Sequence, residues 1–311
     1  TRVCELPPNT QGIAALQMLE MLEGFDLAGM GFGSPDSIAA QVEAKRLAFA
    51  DRAKGYADPA FSGIDPSVFI KEGYNAERAK LIDINKPMTR VDAGMDFAAM
   101  AEADKKLEDG DTTYLTVADQ NGMMVSLIQS NYRGMGSGLV ADGLGFMFQD
   151  RGQLFSLDPE HPNVFEPGKR PFHTIIPAFA YKEVDGEYQP WMSFGLMGGG
   201  MQPQGHTQII LNLVDFGMGL QEAGDAARWE HTGGCEPTDD YSGDACEEDM
   251  GVVHLESGIP PETRAELERR GYTVECCSAN GGGYQAIMKD FESGAWIAAT
   301  EMRKDGVALA Y

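Results

Sequence analysis

The run Gly110-Asp111-Thr112-Thr113-Tyr114-Leu115-Thr116-Val117-Ala118, then Asp119-Gln120-Asn121-Gly122, then Met123-Met124-Val125-Ser126-Leu127-Ile128, decides the fold class. Two β-branched and aromatic stretches flank an Asn-Gly step, the strongest short-range signal for an antiparallel hairpin. A second hairpin is predicted over 174–181 and 188–194, turning at Asp185-Gly186. Upstream, the chain reads as helical. Asn9 is a candidate cap, and Ala14, Met18, Met21, Leu22 and Phe25 share one helical face. A break at Gly29-Met30-Gly31-Phe32-Gly33 precedes Ser34-Pro35-Asp36, a cap with proline in the first turn. That second helix runs through Ala39, Val42, Leu47 and Phe49, a shorter one covers 76–82, and a polar acidic connector fills 91–111. Downstream, helices are predicted over 203–216 and 220–229, another opens at Pro260-Pro261-Glu262 and ends at Arg270, and short strands close the chain. Helices, hairpins, helices and strands in that order give an α+β fold with stacked antiparallel sheets under helices. Strand–helix alternation is missing, which argues against a Rossmann arrangement.

Composition narrows the function. The 311 residues carry 48 acidic and 24 basic side chains, a formal net charge of −24. Phosphate contacts need clustered Lys and Arg, so no nucleic-acid partner is expected, nor adsorption to anionic membranes. With 43% hydrophobic and 23% charged residues, the chain is an ordinary globular one able to bury a core. No apolar run approaches the ~20 residues of a membrane-spanning helix. The chain opens abruptly at Thr1-Arg2-Val3-Cys4, without a basic leader or apolar h-region, as expected if an upstream segment is missing, so the compartment is not read from this end and the cytoplasm is only slightly favoured over the periplasm or secretion. Five cysteines in a chain of this length imply no disulfide framework. Cys235 and Cys246 can bridge across one acidic loop; Cys4, Cys276 and Cys277 read as free thiols. The loop from Cys235 to Asp249, with Asp239, Asp240, Asp244, Glu247 and Glu248, reads as a solvated insertion, its spacing unlike an EF-hand. The five histidines show no paired zinc spacing. No metal or organic cofactor is expected.

The chemistry centres on Thr112. Alone, a threonine at a loop-to-strand boundary does no more than favour β structure. Exposed by chain cleavage, it gains its own α-amine as a base. A pKa of about 8 suits that amine to neutral pH, and an internal threonine has no such base.

Six segments in order resemble the γ-glutamyltranspeptidase family of N-terminal-nucleophile hydrolases. They are Lys45-Arg46-Leu47-Ala48-Phe49-Ala50-Asp51-Arg52, Asp111-Thr112-Thr113-Tyr114, Gly136-Ser137-Gly138, Pro167-Gly168-Lys169-Arg170-Pro171, Gly198-Gly199-Gly200 and Ala226-Ala227-Arg228-Trp229. The resemblance spans the chain and implies a four-layer αββα sandwich and a precursor that cuts itself between Asp111 and Thr112. Residues 1–111 would be the C-terminal part of a large subunit truncated at its start. Residues 112–311, numbering 311 − 111 = 200, would be the small catalytic subunit, the two forming a heterodimer after cleavage. By the same resemblance Thr112 is the nucleophile, Ser130 its hydrogen-bonding partner, and Gly198 and Gly199 supply the oxyanion donors. Two preorganised N–H groups are what a tetrahedral intermediate needs, and glycine permits the close backbone approach. No Lys-Ser/Thr follows the glycines, so they are not a phosphate loop.

The clamp for a γ-glutamyl group departs from the family. Tyr132, with Asn131 beside it, stands where the transpeptidases carry asparagine. Gln153-Leu154 replaces an aspartate pair that contacts the substrate amine, and His173 and Thr174 replace two carboxylate-binding serines. Asn131, Tyr132, His173, Thr174 and Arg151 are therefore the candidate substrate-binding residues. His173 alone also reads as a hydrogen-bonded core histidine, and Asp150-Arg151 as a surface ion pair. The resemblance implies an amidohydrolase or acyltransferase cleaving γ-glutamyl amides, passing the acyl group to water or an amine. The altered clamp favours the γ-glutamyltransferase-like branch and keeps two alternatives, a β-lactam or glutaryl acylase and an uncut, non-catalytic binding paralogue. An anionic substrate on so acidic a chain calls for local cations, with Arg151, Lys169, Arg170 and Arg228 as candidates.

Overall fold

The structure, a computed structural model, describes residues 1–95, 111–238, 246–277 and 281–311. The first part is helical after a short strand: β1 (Arg2–Cys4), α1 (Gly12–Leu22), α2 (Leu27–Met30), α3 (Pro35–Gly55), α4 (Pro59–Ser62) and α5 (Tyr74–Ala79). Then come β2 (Asp111–Ala118), β3 (Met124–Tyr132), β4 (Ala178–Val184) and β5 (Glu187–Leu196). They are followed by α6 (Met201–Val214), α7 (Leu220–Asp225), β6 (Trp229–Thr232), β7 (Val252–Leu255), α8 (Pro261–Arg270), β8 (Val274–Cys276), β9 (Tyr284–Lys289) and β10 (Trp296–Thr300).

Three sheets form. The largest has the order β1-β4-β5-β9-β10, all antiparallel; β2 and β3 make a hairpin, and β6-β7-β8 a small mixed sheet. Strand β5 shows how the layers stack, because alternate side chains leave opposite faces. Met192, Phe194 and Leu196 point into a core shared with Met201, Ile209, Ile210 and Leu220 of the helices. From the other face, Ser193 Oγ bonds Thr116 Oγ1 of the hairpin, and Gly195 lies under the Tyr114 ring. The hairpin therefore lies on the sheet as a second β layer. Its outer face carries the cross-strand pairs Leu115–Leu127 and Val117–Val125, all four exposed. A second core gathers α1, α3 and α8 with β6, β7 and β8.

Gly195 is a glycine for steric reasons: a Cβ there would sit 2.5 Å from Tyr114 Cε2. Gly195→Ala should cost about 1–3 kcal/mol of overpacking strain. Thermal unfolding would register this as a fall in Tm of several degrees, and an unchanged Tm would show that the hairpin lifts freely.

Several sequence expectations hold. Ser34 caps α3, its Oγ accepting from Ser37 N–H, and both hairpins form. Others are corrected. Asn9 does not cap α1, whose N-cap is Gln11; instead Asn9 Nδ2 donates to Pro171 O across the molecule. The second hairpin starts at Ala178, and the helix predicted over 220–229 ends at Asp225, with only Trp229 of the remainder joining β6. Cys235–Cys246 is bridged, and Cys276–Cys277 is also a disulfide, leaving Cys4 as the free thiol. Asp239, Asp240 and Asp244 of the acidic loop, and most of the 91–111 connector, lie outside the described residues. Among the described residues no helix is long and apolar enough to cross a membrane, and no cluster of three or more His, Cys, Asp or Glu could hold a metal ion.

Candidate active site

Strand β3 keeps a regular register with β2 until its last residues. Thr112 pairs with Ser130 but Asp111 pairs with Tyr132, so Asn131 is an extra residue forming a bulge opposite the Asp111–Thr112 bond. Tyr132 sits there at φ 75°, a conformation that costs a bulky side chain energy and marks locally stored strain. Thr112 Oγ1–H donates to Ser130 Oγ at 3.0 Å, and Tyr132 N–H donates to the same oxygen at 2.9 Å. Thr112 also lines a cavity of about 440 Å³ between the hairpin and the β9–β10 edge. Met197, the neighbour of Gly198, and residues 304–309 line the same cavity.

Gly198 and Gly199 follow β5 with φ of 125° and 57°, conformations glycine adopts without penalty. Met201 N–H and Gln202 N–H donate to their carbonyls, turning the chain into α6. Their own N–H groups have no acceptor among the described residues. Gln11, fully buried, holds this turn. Its Nε2 donates to Gly199 O and to Thr174 O, each at 2.8 Å, and its Oε1 accepts from Arg52 Nη1 at 2.6 Å. Arg52 in turn pairs with Glu236. Much of the Lys45–Arg52 segment is thus scaffold inside the buried helix α3: Arg46 pairs with Glu43, and Asp51 accepts from Gln17, Tyr74 and the Gly94 N–H.

Thr174 links this turn to Arg151, whose Nη1 donates to Thr174 Oγ1 at 3.1 Å. The expected Asp150–Arg151 surface pair is absent. Asp150 is held by Arg133, at 2.9 Å and through the Arg133 N–H, while Arg151 is only 6% exposed. Its guanidinium lies 5.2 Å from the centre of the Tyr132 ring. Burial lowers its pKa to about 10, raises Tyr132 to about 12, and, with the nearby Arg151 and Arg170 charges, lowers His173 to about 4. At neutral pH the histidine and tyrosine are therefore uncharged. The other candidate cations are taken: Lys169 by Glu166, Arg170 by Asp58 and Arg228 by Glu301. Contacts therefore run from Thr112 through Ser130 and Tyr132 to Arg151, Thr174, Gln11 and Gly199. Asn131 contributes its carbonyl, which accepts from Asp150 N–H. Gln11 was not legible in the sequence, because its acceptors lie 163 and 188 residues away.

A family model described as Gamma-glutamyltranspeptidase matches residues 1–311. The glutathione hydrolase-like YwrD proenzyme of Bacillus subtilis (strain 168) is 32% identical over 309 residues, 99% of this chain and 53% of that protein. The acylase ACY 1 proenzyme of Pseudomonas sp. (strain SE83) is 33% identical over 307 residues, 98% of this chain and 49% of that protein. Among solved structures, cephalosporin acylase from Bacillus halodurans matches all of this chain and 51% of its own, with TM-score 0.82 and 36% identity. The chain spans about half the length of the curated relatives it matches.

Proposed function

The chain belongs to the γ-glutamyltranspeptidase family, a class of hydrolases and amidases, and from that premise we propose that it is a self-processing amidohydrolase or acyltransferase with Thr112 as nucleophile. The observation that carries this reading is the Thr112 hydroxyl bonded to Ser130 at a bulge facing the Asp111–Thr112 bond. In processing, Thr112 Oγ attacks the Asp111 carbonyl carbon, the peptide C–N bond breaks as an ester forms, and water hydrolyses that ester. This yields the Asp111 carboxylate and a free Thr112 amine.

In turnover, that amine takes the hydroxyl proton while Oγ bonds the substrate's amide carbon. Gly198 and Gly199 N–H groups receive the negative oxygen. The proton passes to the leaving nitrogen as the C–N bond breaks, and water or an acceptor amine then releases the acyl group from Thr112. The acyl group is γ-glutamyl or a related side-chain acyl, and residues 1–111 and 112–311 remain together as two subunits.

The direct test is N-terminal sequencing with intact-mass measurement of the purified protein. A fragment beginning Thr112-Thr113-Tyr114 is expected. A single uncut species without amidase activity would instead support a non-catalytic binding protein.

A further inference from the structure

The loop that begins at Cys235 is tied to the Gly198-Gly199 turn by a run of side-chain bonds. Glu236 pairs with the buried Arg52, Arg52 Nη1 donates to Gln11 Oε1 at 2.6 Å, and Gln11 Nε2 donates to Gly199 O at 2.8 Å. Glu236 is itself held from both flanks. After it, Pro237 O accepts from Asn163 Nδ2 at 3.3 Å. Before it, Cys235 is bridged to Cys246, 11 residues on. The far side of that bridge is anchored, since Glu247 pairs with Lys54 of α3 and with Arg90, and its carbonyl accepts from Val91 N–H. The bridge therefore fastens the start of the loop to α3, the helix that carries Arg52. It is also placed to open. Cys246 is half-buried, and Lys45 and Phe49 line a cavity of about 20 Å³ together with both cysteines. Burial lowers the Lys45 ammonium to about 7, so it can hand a proton to a departing thiolate. Phe49 carries the Arg52 guanidinium 3.7 Å from its ring centre, so that cavity adjoins the residue Glu236 holds.

We propose that Glu236 is a positioning residue for the oxyanion turn and that the Cys235–Cys246 bridge governs its hold on Arg52, so that a dithiol slows turnover by opening the bridge. This rests on the amidase reading of Thr112 and names a regulation of that same site. In the opening step a thiolate of the dithiol attacks the Cys246 sulfur, the S–S bond breaks, and Cys235 leaves as a thiolate that takes up a proton. The second thiol of the dithiol then displaces Cys246 from the mixed disulfide. Two cysteine thiols form, the dithiol becomes its own disulfide, and each proton it loses ends on a cysteine sulfur. With the bridge open, the chain before Glu236 loses its tie to α3, the carboxylate restrains Arg52 less, and Arg52 restrains Gln11 less. The Gly199 carbonyl is then freer, and the Gly199 N–H with it through their shared Cα. A donor is loosened here and not deleted, so the loss should fall below the 10²–10³ typical of removing one.

The test measures kcat and KM of the complete processed protein on the better of γ-glutamyl- and glutaryl-p-nitroanilide, before and after dithiothreitol, with thiols counted by alkylation and mass measurement. Hydrogen exchange over 198–204 is followed in the same samples, because the Met201 and Gln202 N–H bonds to the Gly198 and Gly199 carbonyls report on the turn. Reduction should lower kcat about tenfold with KM nearly unchanged, speed exchange over 198–204, and reverse when the dithiol is removed and the bridge re-forms in air. The response should persist in Cys276→Ser/Cys277→Ser. Cys235→Ser/Cys246→Ser should start at the lower kcat and ignore the dithiol. With the bridge closed, Glu236→Gln should show the same fall and lose nothing more on reduction, and Glu236→Asp should recover part of it, which a mere staple would not produce. A full kcat once Cys235 and Cys246 are counted as thiols, or a full kcat in Glu236→Gln, overturns the proposal while leaving the amidase reading intact. Global unfolding on reduction, read by circular dichroism, also overturns it, because the bridge would then hold the whole fold and not one carboxylate. If neither anilide is turned over, faster exchange in the reduced and Glu236→Gln proteins supports the linkage and refutes the amidase, and unchanged exchange overturns both.

Discussion

Thr112→Ala should leave the protein uncut and lower turnover by about four orders of magnitude or more, as expected when the nucleophile of a covalent mechanism is removed. The same oxygen serves both steps, so processing and catalysis should fail together. Loss of fold is not an adequate explanation of that result. Thr112 is only partly buried, and among the described residues its side chain makes one hydrogen bond, to Ser130. Deleting one such bond costs about 0.5–1.5 kcal/mol, so the melting temperature should move by only a few degrees. Thr112→Ser keeps the hydroxyl and should process and turn over, more slowly because the serine rotor is less restricted. Gel analysis together with anilide hydrolysis decides the matter. An alanine variant that still cuts and still turns over would remove Thr112 from the mechanism.

How much of this site could be read from the chain depended on how local each feature is. The β2–β3 hairpin is written in alternating β-branched residues around Asn121-Gly122, and the structure forms it with Thr112 opposite Ser130. The Gly198-Gly199 turn was likewise visible, since consecutive positive φ values demand glycine. Long-range pairings were not. Asp150 prefers Arg133 to its sequence neighbour Arg151 because the β3 bulge turns the chain back on itself there. That choice changes Arg151 from a surface ion into a buried, unfilled donor. Asn9 looked like a helix cap from its position but spends its amide on Pro171, 162 residues away. Nothing in the local pattern around Cys276 and Cys277 distinguishes a bonded pair from two thiols.

Gln11 is where the fold is expected to act on chemistry without touching substrate. Its amide fixes the carbonyl of Gly199 and the carbonyl of Thr174, and Arg52 fixes the amide's own orientation. Gln11→Ala removes all three restraints, and among the described residues the Gly199 carbonyl is then held only by the turn bond from Gln202. That carbonyl shares its plane with the Gly200 N–H, so its release acts on the Gly199 N–H proposed to meet the oxyanion through the Gly199 Cα, by freeing the glycine's φ and ψ. Misaiming one such donor is expected to cost about 100-fold in kcat, near the low end for deleting one outright. KM should move little, because the donor acts on charge that develops only in the transition state. Stability falls as well, by about 1–3 kcal/mol for each buried group left unpaired. Rates must therefore be compared where circular dichroism shows both proteins folded. Arg52→Lys keeps the charge opposite Glu236 but loses the planar fork, and should give a smaller kcat defect, about tenfold, with the same unchanged KM. A Gln11→Ala enzyme with lowered Tm but full kcat would mean that glycine geometry alone aims the donors. A fall in kcat in both variants, larger for Gln11→Ala, with KM unchanged would instead make the Gln11–Arg52 pair the positioning element of the oxyanion turn.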